Sequence, residues 1–237
     1  MPMDPRLMRP KRRAAGDPYW ANVELLLHFD GPSFVDSSSN DLAITTNGSP
    51  TISTAQSKFG GASGLFGPVS NYLNAPGDLS SGSYTIEAWF YAAQDHSGDL
   101  YAVLSGGSGG SRQYPNRWSF ELGVGEGSIT MRAAGTNNDP IAEHSGDYTL
   151  STWVHVAWVH DDAAETLSFY LGGERIAIES YSFNPIDYGD LLVGQGSSGV
   201  NGFNGEAYYL DELRITKGVA RYSGESFPVP TAPFPNG

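Results

Sequence analysis

A chain of 237 residues, 16% charged, 12% aromatic and with 30 glycines, has the length and composition of one large β-domain built from short strands and tight turns. It has no cysteine, which excludes a disulfide frame, a thiolate metal site and a cysteine nucleophile. The net charge of -13 is uneven, because residues 1–13 carry Arg6, Arg9, Lys11, Arg12 and Arg13 against Asp4, or +4, leaving -17 on the rest; so acidic a body repels nucleic acid and excludes sequence-specific nucleic-acid recognition.

Prolines at 2, 5, 10 and 18 exclude a helix or central strand before about residue 20, so residues 1–22 read as an extended basic arm. Two fates fit such an arm: docking on an acidic partner surface, or a solvated, disordered terminus. In the docked form Tyr19 and Trp20, beside Pro18, would anchor a strap to a neighbouring subunit while the basic cluster meets acidic surface. VELLLHFD (23–30) reads as a strand ended by the turn Asp30-Gly31-Pro32, and DSSSND (36–41) as a second turn leading into LAITT. The apolar run Leu25 to Leu27 is far short of a membrane span or a signal peptide, so the chain is expected to be soluble and unprocessed.

The clearest alternation is YTIEAWFYA, with Tyr84, Ile86, Ala88 and Phe90 on one side and Thr85, Glu87, Trp89 and Tyr91 on the other. WVHVAWVHD repeats it, with Val154, Val156, Trp158 and His160 opposed to Trp153, His155, Ala157 and Val159. Strands apolar on both faces belong in the middle of a sheet that is covered on each side. TLSFYL, the turn Gly172-Gly173 and ERIAIES complete a three-stranded meander, and EAYYLDELRIT reads as a last long strand. KGVARY is expected to form one helical turn, and the tail FPVPTAPFP to be extended. No repeat of 20 to 50 residues is present, which excludes a propeller or solenoid.

Taken in order, LLLHFDG, TIEAWFYA, WVHVAWVHD with TLSFYLGGERIA, and FNGEAYYLDELRITKGVARY resemble the laminin-G-like, concanavalin A-like lectin and glucanase family over about residues 23–223. DPYWANVELLLHFDG with DELRITKGVARY and the Pro-rich end is similar to the versions found in structural proteins of tailed bacteriophages. The resemblance implies an all-β fold: a two-sheet antiparallel jelly-roll sandwich with one concave sheet, preceded by the arm 1–22 and followed by the tail 224–237. It further implies a non-catalytic virion structural protein, a capsid decoration or a tail or fibre component on the exposed particle surface. Its partners would be other virion proteins, further copies of itself, and host-surface polysaccharide. A lectin domain outside a virion and a glycoside hydrolase of the same fold are the alternatives, since fold alone does not set function.

Hydrolysis needs two carboxylates about 5 to 10 Å apart, and the family's enzymes align theirs as E-x-D-x-x-E on one strand. No such string occurs here. Glu87 stands alone, and alternation would send the adjacent Asp211 and Glu212 to opposite faces. There is no G-x-S-x-G elbow, and His155 and His160, five apart, face opposite ways, which is unsuited to joint metal ligation. By resemblance, a structural calcium would be held by Asp30 and Asp211 with a loop carbonyl near Gly61 or Ser63; the alternative is that Asp30 caps a turn and Asp211 pairs with Arg214. Glycan binding uses aromatic faces and amides. The candidates are Tyr101, Tyr114, Asn116 and Trp118, then Asn137, Asn138 and Asp139, then Asn201, Phe203 and Asn204; Trp118 has a core role as its alternative, the role expected of Trp89, Trp153 and Trp158.

Overall fold

A computed structural model describes residues 16–67, 71–79, 81–95, 100–106, 118–134, 140–180, 190–195 and 207–237. The first half of the chain forms β1 (Val23–Leu27), β2 (Thr45–Asn47), β3 (Thr51–Ser53), β4 (Ser63–Phe66), β5 (Tyr72–Pro76) and the long β6 (Tyr84–Ala92). Then come β7 (Leu100–Gly106), β8 (Trp118–Gly125), β9 (Ser128–Ala134) and β10 (Pro140–Asp147). The expected meander is β11 (Val154–Asp161), β12 (Thr166–Leu171) and β13 (Glu174–Ser180), followed by β14 (Asp190–Val193) and β15 (Tyr208–Lys217).

These strands build two antiparallel sheets, the two-sheet jelly-roll-like sandwich expected. One has eight strands in the order β13-β12-β11-β6-β15-β4-β3, with β1 also on β15; the other has seven, β10-β9-β8-β7-β14-β5-β2. Strand β15 is shared on one side: Tyr208–Leu210 pair with β4, and Leu213–Thr216 pair with β1. Between the two halves a bulge falls at Asp211/Arg214, where Glu212 takes φ +51.

Period two sorts the side chains as read. Ile86, Ala88 and Phe90 face Phe120, Leu122 and Val124 of the other sheet in one continuous core, and Trp158 of β11 meets Phe120 with ring centroids 5.6 Å apart. The Gly172-Gly173 hairpin works because both residues have positive φ, the conformation of the tight two-residue turn. The DSSSND turn is organised by Asp36, whose carboxylate accepts the N–H groups of Leu26, Ser38 and Leu42. Strand β1 stops at Leu27, short of the expected Asp30, because Phe29 adopts φ +62 and turns its ring into the core against Phe34 and Phe66.

The outer face of the eight-stranded sheet is covered by the chain's own ends. Residues 16–22, with a 3-10 turn at Trp20–Asn22, lie beside β1, and Trp20 packs on Val23, Leu26 and Phe234. Ala220, Tyr222 and Phe227 pack on Ala157, Val159 and Tyr170. KGVARY forms no helical turn: the Thr85 hydroxyl donates to the Val219 carbonyl and accepts the Arg221 N–H, which pins the segment flat on the sheet. Among the described residues no helix is long and apolar enough to cross a membrane.

Trp158 is fully buried between the sheets, so Trp158→Ala is expected to destabilise the fold by about 3–5 kcal/mol. Equilibrium denaturation with urea is the measurement.

Candidate functional site

The outer face of the eight-stranded sheet holds a buried ionic cluster. Glu87 of β6 lies opposite Arg214 of β15, whose Nε and Nη2 donate to its Oε1 at 3.0 and 2.8 Å. Tyr222 donates its hydroxyl to Glu87 Oε2 at 2.7 Å, and His155 Nε2 lies 3.3 Å from the same oxygen. Asp17, from the N-terminal segment, accepts from Arg214 Nη1 at 2.8 Å and from Arg221 Nη1 and Nη2 at 2.9 and 2.8 Å. The Arg214 guanidinium also stacks on Phe234, 3.7 Å from the ring centre. Burial pushes the Glu87 carboxyl up, but the charge of Arg214, the neighbouring His155 and the bond from Tyr222 outweigh it and hold the group at about 2. Glu87 is thus an ion-pair partner sealed under the tail, with no access for substrate.

Asp30 and Asp211 converge on the loop 57–62. Asp211 Oδ2 accepts the N–H groups of Lys58 and Phe59 at 2.7 and 3.1 Å, and Asp30 accepts the Ala62 N–H. Gly60 has φ +62, and a Cβ there would fall 1.8 Å from the Asp30 carboxylate oxygens, so the close approach requires glycine. Asp211 Oδ1 is buried without a hydrogen-bond partner. Burial raises the Asp211 carboxyl to about 7, with Glu212 and Asp30 adding to the rise. The pairing of Asp211 with Arg214 is not formed. Nor do Asp211 and Glu212 face opposite ways: the bulge turns Glu212 to the outer side as well, where it accepts from Phe234 N–H at 2.7 Å and bonds His28 Nδ1 at 2.8 Å. Two carboxylates and one unpartnered oxygen fit a hard cation, but the loop serves them with N–H donors, and among the described residues no cluster of three or more acidic, histidine or cysteine side chains is suited to hold a metal.

The outer face of the seven-stranded sheet carries a polar row. Glu143, Arg132 and Glu121 are in register on β10, β9 and β8, and Arg132 Nη1 lies 3.4 Å from Glu121 Oε2. Ser119 donates to Glu121 Oε1 at 2.8 Å, and Ser105 of β7 lies 3.5 Å from Gln195. Glu121, Arg132, Ser105 and Gln195 are buried, while Glu143, Ser145 and Asp147 along the β10 edge are exposed.

The predicted glycan ligands fare unequally. Trp118 is 3% exposed and fills the core against Phe120, where a Cβ on Gly106 would strike its indole at 2.3 Å; it is a packing residue and cannot stack on a sugar. Tyr101 lies in β7, paired with Leu122, while Tyr114, Asn116, Asn137, Asn138, Asp139, Asn201, Phe203 and Asn204 lie outside the described residues. So do Arg6, Arg9, Lys11, Arg12 and Arg13 of the arm. Tyr19 and Trp20 lie against their own subunit, Trp20 half-buried in an apolar cluster and Tyr19, 40% exposed, with its ring 5.2 Å from the Arg221 guanidinium. Glu121, Arg132 and Gln195 are not among the residues that the sequence marks as candidates. The alternation of SFELGV and ITMRAA places a charge on the outward side of each strand, and that was the available signal.

Because the folded Glu87 carboxyl sits below its ordinary 4.5, the stability it contributes is complete above that value and is lost as pH falls from about 4.5 towards 2. Glu87→Gln is expected to shrink the acid-limb pH dependence and to destabilise the protein at neutral pH by about 3–5 kcal/mol, because Arg214 loses its buried partner; urea melts across pH 2–8 measure both.

Three comparisons bear on this architecture. No curated protein matches the sequence. Among solved structures, the botulinum neurotoxin serotype D binding domain is similar with a TM-score of 0.61 and 11% identity, covering 85% of this chain and 49% of that one. The binding domain of Paraclostridial Mosquitocidal Protein 1 matches with a TM-score of 0.61 and 13% identity, over 87% of this chain and 51% of that one. The botulinum neurotoxin type G receptor-binding domain gives 0.58 and 12%, over 87% and 49%. The chain thus spans about half the length of these structures, and at such identities the likeness is one of fold. A family model described as concanavalin A-like lectin/glucanases superfamily matches residues 67–221, well over half of the sequence. With that match and its two-sheet sandwich, the chain belongs to the concanavalin A-like lectin/glucanases superfamily.

Proposed function

We propose that this protein is a non-catalytic binding module displayed on a phage particle, docked by its basic arm and gripping host-surface glycan at the exposed β10 edge of the seven-stranded sheet. The observation that carries the reading is the inequality of the two sheets. The eight-stranded sheet is closed by both chain ends over a neutralised ion cluster. The seven-stranded sheet sets Glu143, Ser145 and Asp147 along an exposed edge, beside the buried Arg132 and Glu121. The likeness to toxin binding domains supports a binding role for the fold. Against hydrolysis stand the positions of Glu87, Asp211 and Glu212, each committed to an ion pair or to backbone N–H groups. The lectin outside a virion shares the same edge and differs only in what the arm holds.

The arm gives one test. Residues 1–13 carry the basic cluster, whereas Asp17 is part of the buried ion network. Deleting residues 1–13 is expected to leave the melting temperature unchanged and to abolish incorporation into particles assembled with the other virion proteins, with homo-oligomer formation followed in the same samples. Deleting residues 1–20 removes Asp17 as well and is expected to lower stability. Full incorporation of the 1–13 deletion would overturn the docking role.

Glycan and calcium are tested together. Calcium would be held by Asp30 and the free oxygen of Asp211, whose mutual repulsion a divalent cation relieves. On a glycan array the full chain is expected to bind a polysaccharide, with Glu143→Lys weakening it. Calcium is expected to raise the melting temperature relative to chelator, and Asp211→Asn to remove that difference.

A further inference from the structure

A second site lies at the opposite edge of the seven-stranded sheet, where the two sheets part at their shortest strands. The chain runs from β1 through Asp30–Phe34, then along β2 at the edge of one sheet, and through Pro50 into β3 at the edge of the other. Between these stretches is a cleft of about 680 Å³, within the range of about 300–1,000 Å³ usual for small-ligand sites. Its apolar wall is Phe34, Ile44, Ile52 and the prolines at 32 and 50. Phe34 is held in place edge-on against Phe29, and both Phe34 and Ile44 pack on the main core, so the wall is rigid. Its rim carries the hydroxyls of Ser33, Thr46, Thr51 and Thr54 and the carboxylate of Asp30. None of these four hydroxyls makes a hydrogen bond within the chain among the described residues.

We propose that this cleft binds a neutral saccharide, a second glycan subsite of the binding module and one that rests on the glycan-binding reading above. The chemistry of the lining excludes the other classes. Among the described residues no lysine or arginine lines the cleft, and a chain of net charge -13 repels an anionic ligand. A wholly apolar ligand would strip water from four hydroxyls and a carboxylate without replacing their hydrogen bonds. An added peptide strand needs a long free edge, and β2 and β3 have three residues each. A neutral sugar ring matches what remains. Its C–H faces pack on Phe34 and the prolines, its hydroxyls exchange bonds with those of the rim, and Asp30 accepts a pair of them.

The experiment is isothermal titration of the full chain with neutral gluco-, galacto- and N-acetylhexosamine oligosaccharides and with sialylated and sulfated ones, for the unaltered protein and for Thr51→Arg, Thr54→Arg and Glu143→Lys. Thr51 and Thr54 are exposed, so either arginine is expected to fill the cleft without changing the melting temperature, and the second stands in if the first does not fold. The expected result is binding of at least one neutral oligosaccharide that weakens by about tenfold or more in the cleft variants, whatever Glu143→Lys does. Undiminished binding in both cleft variants with loss in Glu143→Lys overturns the cleft and leaves the β10-edge reading standing. Binding of anionic but not neutral glycans overturns the cleft alone, and no glycan binding of any kind overturns both.

Discussion

Arg214 is the residue on which the rest of the outer architecture depends. It leaves the middle of the most heavily paired strand, directly opposite Glu87, and its guanidinium meets three segments far apart in the chain: Glu87 on β6, Asp17 near the N-terminal end and Phe234 near the C-terminal end. A guanidinium has five donors in a fixed fork, so it satisfies two carboxylates at once while its flat face lies on a ring. Charge buried on a sheet face is tolerated only when paired and hydrogen-bonded. Arg221 and Tyr222 complete that pairing, and the tail that carries them becomes the cover the sheet needs.

The closure gives the eight-stranded sheet a second buried layer. An eight-stranded sheet with Trp89, Tyr91 and Tyr170 on its outer side would be an apolar liability in water. The chain ends convert much of it into a second, smaller interior. Among the described residues the seven-stranded sheet leaves its β10 edge exposed at Glu143, Ser145 and Asp147, and a cleft opens at β2 and β3.

The fold was legible where periodicity carries it. TIEAWFYA and WVHVAWVHD alternate without a break, and two-faced apolar character required covers on both sides, which the structure supplies with the other sheet and with the tail. Legibility failed where one residue leaves the pattern. The bulge at Glu212 turns two adjacent carboxylates to the same side, and no composition signal marks a non-glycine residue with positive φ. KGVARY has helical appearance, and a single distant hydroxyl, Thr85, decides otherwise. Trp118 reads equally as loop or core from its neighbours, and the glycine opposite it on β7 is what makes room for the indole.

From the sequence alone followed the all-β class, the facing of the main strands, the family and the basic arm with its acidic body, because each is a property of local pattern or of sums over the chain. Tertiary structure alone decided which charges are buried and with whom, since Asp17, Glu87, Arg214 and Tyr222 are separated by long stretches of chain and meet only once β6, β15 and both ends lie together. It decided likewise that Trp20 packs against its own subunit, and that a cleft opens at β2 and β3. Pairings of this kind depend on the folded path, and no periodicity encodes them.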